Sequence, residues 1–176
     1  IQSNNTLRAL DQIGLAQPCV DAGAPFFGWQ LYDEKGSIVG QVASANDAAP
    51  GYPPNNGITR PTLHRILTDT ALEAGATLRF GVSASAINDG ADGASVEFTD
   101  GRSGRYELVI GCDGLHSRTR KQLFADSADP EFTGQGVWRY NLPKPAGMDW
   151  VRSYDGPRCK VGFVPISSTL MYILVV

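Results

Sequence analysis

An apolar run, Leu108-Val109-Ile110, empties into Gly111-Cys112-Asp113-Gly114, and Ser117, Arg118 and Arg120 follow at helical spacing. A strand this apolar on both sides must be covered on both faces, as in the middle of an α/β sheet. A glycine-flanked bend that opens a helix presents free backbone N–H groups, and such a place seats phosphate. The glycines let a ligand approach the main chain. Asp113 cannot attract phosphate itself. Its part is to accept hydrogen bonds from sugar or polyol hydroxyls, or to hold the turn. On this stretch alone, a plain tight turn at Asp113-Gly114 is an equally good reading. Ser117 is placed to cap the helix that follows.

Composition narrows the partners. The 176 residues suffice for one domain core, and 42% of them are hydrophobic. A formal net charge of −3 shows no basic bias, so neither nucleic acid nor an anionic membrane is expected as a partner. The longest apolar run, Leu170 to Val176, is too short to span a bilayer, and no basic leader precedes an apolar segment. Cys19, Cys112 and Cys159 are odd in number and widely spaced, which suits reduced thiols and a cytoplasmic setting. Nothing near Cys112 would make it a thiolate, so it reads as a small buried filler. His64 and His116 have no ligand-spaced neighbours; no metal site is expected, and both read as surface or packing residues.

Along the chain, Asn4-Asn5 read as the cap of a first helix, with Leu7, Leu10 and Ile13 on one face and Gly14 as its stop. From Phe27 the period becomes two: Phe27, Trp29 and Leu31 alternate, Asp33 to Gly36 turn, and Ile38, Gly40 and Val42 return, which predicts a hairpin. Residues 43–57 read as a loop. A second helix starts at Thr59 or Arg60, takes Pro61 in its first turn, carries the stripe Leu63, Ile66, Leu67, Ala71 and Ala74, and ends at Gly75. Strands are expected over 78–87, 94–99 and 106–110, the last a covered central strand, with a helix over 117–124. Four more strands follow, over 136–142, 151–154, 160–164 and from 170 onward. Pro165 interrupts a strand, which suggests an edge or a bulge. Helical and strand-rich blocks alternate, as if the chain passes more than once through two spatial units.

The segment from Gly111 to Arg120 resembles the Asp-Gly motif of the single-component FAD-dependent aromatic hydroxylases, the family of para-hydroxybenzoate and salicylate hydroxylases. Glycine, a variable residue, Asp-Gly, two variable residues, Ser, two variable residues and Arg are all in place. The stretch ITRPTLHRILTDTALEAGATLRFG resembles the family's Arg-x-x-Leu helix, VEFTDGRSGRYELVIGCDG its hairpin into the motif, and FTGQGVWRYNLPKP with VGFVPISSTLMYIL its first substrate-sheet strands. Nearly the whole chain is covered.

The resemblance implies an α/β fold, α+β within this segment. It would form part of a glutathione-reductase-like FAD domain (residues 1–21 and 58–125) interleaved with a substrate-binding β-sheet domain (22–57 and 126–176). It implies FAD as cofactor, NADPH or NADH as reductant, O₂ and a small aromatic substrate. Arg60, Asp113, Gly114, Ser117, Arg120 and, more weakly, Val82 are the implied FAD residues. Trp138, Arg139 and Pro165 are the implied pocket residues, and the catalytic residues stay unknown. Each has a plainer reading: Arg60 as a solvated helix start, Trp138 as core, Pro165 as sheet geometry. The family's glycine-rich G-x-G-x-x-G opening and its later Gly-Asp segment do not occur here, and Val176 closes an apolar strand without a turn. The expectation is therefore a middle piece of a longer enzyme, inactive and flavin-free by itself, with exposed sheet edges open to self-association. The alternatives are a flavin halogenase or reductase on the same scaffold, or a cofactor-free binding domain.

Overall fold

The computed structural model describes all 176 residues and shows an α+β fold with three sheets and four helices. The chain divides into two compact units, residues 1–76 with 135–176, and residues 77–134.

The first unit contains two sheets. The smaller joins β1 (Gln2–Ser3), β5 (Asn55–Gly57) and β2 (Ala24–Phe26), with β5 central and antiparallel to both. The larger has six strands: β3 (Gly28–Tyr32), β4 (Ile38–Ala43), β9 (Trp138–Pro143), β10 (Val151–Asp155), β11 (Lys160–Pro165) and β12 (Leu170–Val175). Their order is β4-β3-β10-β11-β12-β9, so the early hairpin and the late strands share one sheet. β3 pairs parallel with β10 across more than a hundred residues of intervening chain, whereas its return strand β4 pairs antiparallel. Phe26, Val151 and Val164 are buried between the layers, with Trp29, Tyr172 and Leu174 packed against them. The rings of Phe26 and Trp29 meet edge to face, 5.8 Å apart.

The helices of this unit are α1 (Asn4–Asp11), α2 (Ala16–Asp21) and α3 (Arg60–Glu73). α3 follows the predicted chemistry: the Thr59 hydroxyl accepts from the Thr62 N–H at 3.2 Å, and Gly75 leaves the helix at φ +88°. Its apolar stripe, however, contains no fully buried residue.

α1 forms with Leu7 buried and Gly14 at φ +72° after it, but its expected cap fails. Ser3 occupies the cap position, and Ile13 is exposed. Asn4 is buried and pins the distant loop of residues 46–53. It accepts from the Ala49 N–H at 2.7 Å and donates to Asn46 at 2.7 Å and the Ala49 carbonyl at 3.0 Å. A side chain with one acceptor and two donors serves a buried loop better than a helix end, whose N–H groups water can reach. The strand β5, inside what read as loop, is held the same way. Asn56, fully buried, donates to Gln2 at 2.9 Å and to the Cys19 carbonyl at 2.8 Å. Hydrogen bonds, not apolar periodicity, make this element, which is why the pattern missed it.

Pro165 is neither at an edge nor in a bulge. It is the last residue of β11, which lies between β10 and β12, and its ring is fully buried. At a strand end the missing N–H costs one terminal rung. The Pro165 carbonyl presses on the backbone of Gly57: any Cβ at residue 57 would fall well inside van der Waals contact of that oxygen.

The second unit is a meander of β6 (Ala84–Asn88), β7 (Ala94–Phe98) and β8 (Ser103–Tyr106), followed by α4 (Arg118–Leu123). The turn at Asp100-Gly101 forms as predicted, with Gly101 at φ +81°. The expected covered strand over 106–110 does not form. Tyr106 ends β8, and Leu108 and Ile110 are each 73% exposed with no ladder partner. A strand apolar on both faces needs neighbours to cover it, and this unit supplies none beyond the meander. Cys112 is likewise exposed, not buried, because the segment that carries it lies at the surface.

Gly57→Ala should destabilise the first unit by about 1–3 kcal/mol, because backbone cannot yield as a flexible side chain can. Gly51→Ala, with open space around it, should stay within about 0.5 kcal/mol. Denaturant unfolding compares the two, and equal midpoints would contradict the close approach.

Candidate functional site

The first unit holds a cavity of about 400 Å³ between the start of α3 and one face of the large sheet. Ile58, Thr59, Arg60 and Leu63 form one wall. Arg139 and Asn141 of β9, Tyr172 of β12, and Ile166 form the other, and Gln2 of β1 contributes a side. Strand alternation explains the sheet wall. Arg139 and Asn141 are two apart on β9, and Asn141 is the ladder partner of Tyr172, so all three point to one face. The contact of Gly57 with Pro165 explains why the walls meet: three residues after Gly57 comes Arg60, and one after Pro165 comes Ile166.

The cavity is cationic. Ion pairs in the chain engage Arg102, Arg105, Lys121 and Lys160, leaving Arg60 and Arg139 without a carboxylate. The Arg139 guanidinium lies over the Tyr172 ring, 5.5 Å from its centre. Burial raises the Tyr172 hydroxyl above its ordinary value while Arg139 pulls it the other way, so the phenol stays protonated and can donate. Gln2 is 3% exposed; its carbonyl oxygen accepts from Asn56, and its Nε2 has no partner.

The Asp-Gly turn belongs to the second unit. The Ser117 hydroxyl donates to one oxygen of Asp113 at 2.5 Å, and the Thr119 N–H donates to the other at 3.0 Å. Ser117 also caps α4, accepting from the Arg120 N–H at 2.9 Å. The Arg120 guanidinium donates to the Leu115 carbonyl at 3.0 Å, and its Nε is buried without a partner. A Cβ at Gly111 would crowd the Thr119 side chain. Gly114, at φ +78°, faces open space, so a ligand can reach its backbone. The fixed residues of the motif therefore fold the turn, and Asp113 keeps further lone pairs for outside donors. Both hydrogen bonds, the Ser117 one first, hold the Asp113 carboxyl far below its ordinary value.

Val82, half-buried, lines a separate recess of about 350 Å³ with Arg79, Val96, Phe98 and Leu108, where Arg79 lies 4.9 Å from the centre of the Phe98 ring. Of the sequence-predicted residues, Arg60 and Arg139 share the cavity, and Asp113, Gly114, Ser117 and Arg120 share the turn. Trp138 is 80% exposed on the opposite face from Arg139, and Pro165 is buried under Gly57. Sequence reasoning missed Tyr172, Asn141 and Gln2. The two-residue period from Arg139 could have found Asn141; Tyr172 was hidden in an apolar run.

Residues 1–145 match the family described as an FAD binding domain. Aurachin C monooxygenase/isomerase of Stigmatella aurantiaca is 29% identical over 175 residues, covering 96% of this chain and 44% of that protein. The crystal structure of Klebsiella pneumoniae HpxO with FAD and uric acid superposes with a TM-score of 0.84 at 23% identity, covering 98% of this chain and 45% of that one. A salicylate hydroxylase in complex with substrate gives 0.73 at 18%, over 98% of this chain and 46% of its own. At such identities the two structures show a shared fold. The chain spans about half the length of the curated relatives it matches.

The Asp113 turn should be insensitive to mild acid. A depressed folded-state pKa means its contribution is complete above the ordinary value of 3.8 and is lost only as pH falls through the lower folded value. The Thr119 amide resonance should hold its hydrogen-bonded position from about pH 7 to about 4 and move only below that. A midpoint near 5 or 6 would contradict the assigned bonds.

Proposed function

The chain belongs to the FAD-binding-domain family, and from that membership we propose that the whole protein is an FAD-dependent monooxygenase that uses NADPH or NADH and O₂ to hydroxylate a small aromatic substrate. Relatives whose names give monooxygenases of aromatic compounds support this reading, among them a 6-hydroxynicotinate 3-monooxygenase and a 3-amino-4-hydroxybenzoate 2-monooxygenase. The observation that carries it is the cavity beneath the start of α3, with Arg60 unpaired at its mouth.

The residues fit FAD, an elongated cofactor with a dianionic pyrophosphate, a polyol chain and a flat ring. Arg60, at the first position of a 14-residue helix, offers a charged donor at the positive end of the helix dipole. Asp113 is ionised and acceptor-only, suited to ribityl hydroxyls, and Gly114 leaves the space for their approach. Ser117 and Arg120 hold that turn in shape. Val82 and its apolar recess suit the adenine end. The bound flavin supplies the electron transfer and oxygen chemistry, and the chain supplies position, charge and exclusion of water. Ile58, Leu63 and Ile166 keep water from the cavity walls, and the protonated Tyr172 can donate to a substrate oxygen.

Residues 1–21 and 58–125 would then serve the cofactor, and residues 22–57 and 126–176 the substrate, with Arg139 as pocket wall, Pro165 buried next to Ile166 behind it, and Trp138 outside it on the other face. The apolar face of Leu108 and Ile110 fits a place inside the cofactor domain.

In the full-length protein, Arg60→Gln should weaken FAD retention about tenfold or more, the worth of a charge-assisted hydrogen bond. Asp113→Ala should do likewise or slow flavin reduction, whereas Ser117→Ala, which loosens the cap but keeps the acid, should do so less. Flavin content and stopped-flow reduction read the outcome. Unchanged values in both Arg60→Gln and Asp113→Ala would remove the assignment.

A further inference from the structure

We propose that Asn56-Gly57 is a latent deamidation site, which the folded first unit keeps closed and which opening of the small sheet commits to irreversible conversion. The inference concerns the scaffold and does not depend on the cofactor.

Asparagine followed by glycine is the dipeptide most prone to lose its side-chain amide, because a residue without a Cβ leaves its backbone nitrogen open to the neighbouring Cγ. The fold calls for both residues. At residue 57 the Pro165 carbonyl, itself main chain, fills the place of a Cβ. At residue 56 the side chain is fully buried and donates twice from one nitrogen, to Gln2 Oε1 at 2.9 Å and to the Cys19 carbonyl at 2.8 Å. A carboxylate of the same length has no donor to offer.

Three features of the folded unit hold the reaction off. Asn56 and Gly57 lie in the extended backbone of β5, where Asn56 is the ladder partner of Gln2 and Pro25, and Gly57 of Ala24. Ring closure needs the Gly57 nitrogen turned onto Asn56 Cγ, and the two ladders oppose that turn. The amide cannot swing either, since its nitrogen is tied and its Oδ1 lies where a Cβ of Gly23 would be. Full burial also keeps water and base away.

Once β5 opens, the Gly57 nitrogen attacks Asn56 Cγ. The new N–Cγ bond forms, the Cγ–Nδ2 bond breaks, and the Gly57 proton leaves with the nitrogen as ammonia. Water then opens the cyclic imide. Cleavage at Cγ gives aspartate, and cleavage at the main-chain carbonyl gives isoaspartate. Nothing is oxidised or reduced, and water is the only co-reactant. Neither product fits the place. Aspartate leaves the Cys19 carbonyl without a donor and puts a charge in a buried site. Isoaspartate lengthens the main chain by one carbon, so Gly57 cannot keep both its pairing with Ala24 and its place against Pro165.

The test incubates the full-length protein in warm, mildly alkaline buffer, with and without urea, and follows residue 56 by peptide mapping with mass detection. Unfolded in urea, residue 56 should convert at least about a hundredfold faster than in the folded protein, the factor that a local opening equilibrium imposes. Below the unfolding midpoint the rate should climb with urea as the open population does. Gln2→Leu, which removes one acceptor of the Asn56 amide and leaves the dipeptide intact, should speed conversion in the folded protein about tenfold. Where that variant does not fold, the urea series on the natural sequence decides. Chains converted while unfolded and returned to buffer should not regain the original unfolding midpoint. Equal rates in folded and unfolded protein would overturn the proposal. So would a residue 56 that stays an amide in the unfolded chain, a folded Gln2→Leu that converts no faster, or converted chains that refold to the original midpoint.

Discussion

The Pro165 carbonyl occupies the space where a side chain at residue 57 would begin. That single backbone-to-backbone contact seats the small sheet on the end of the large one. It needs a glycine on one side and, on the other, a strand that stops. Once it is made, the chain leaving Gly57 passes over Ile166, and the Thr59 cap launches α3 with Arg60 facing Arg139, Asn141 and Tyr172. Buried amides lock the approach: Asn56 ties β5 to β1 and α2, and Asn4 closes the loop that leads into β5. The site is thus a consequence of two polar pins and one glycine, with the apolar core behind it holding the sheet that they dock against.

Electrostatics then separates two kinds of place. In the first unit, cationic side chains are left unpaired beside apolar walls, a combination that is stable only at the margin of solvent and that favours an anion when one enters. In the second unit, the motif's acid is already engaged. Ser117 and Thr119 satisfy part of its hydrogen-bonding capacity, which keeps it ionised and fixes the turn, while the open side of Gly114 leaves room for a ligand. A turn that is complete before a ligand arrives is pre-organised, so ligand binding has less conformational entropy to offset.

Much of this was legible in the residues. The hairpin around Asp33 to Gly36, the late strands, the Thr59 and Ser117 caps and the stop at Gly75 follow from local rules, and the structure shows each. The Asp-Gly motif carried the family, and the family match over residues 1–145 agrees. What escaped was non-local. β5 and the short β1 and β2 have no apolar period, because side-chain amides and a glycine contact hold them. Tyr172 and Asn141 enter the cavity through strand pairing, which no single strand reveals. Leu108 to Ile110 read as a buried strand since their composition demands cover, yet cover is a property of neighbours, and among these 176 residues the segment has none.

The central claim is that the crevice at the start of α3 is where cofactor and substrate meet the chain. A crystal structure of the full-length protein grown with FAD and an aromatic acid tests it directly. The account predicts a phosphate oxygen within about 3 Å of the Arg60 guanidinium and an aromatic ring seated against the Arg139 and Tyr172 wall. Flavin bound with Arg60 in solvent, or an aromatic ring seated away from Tyr172, would contradict it.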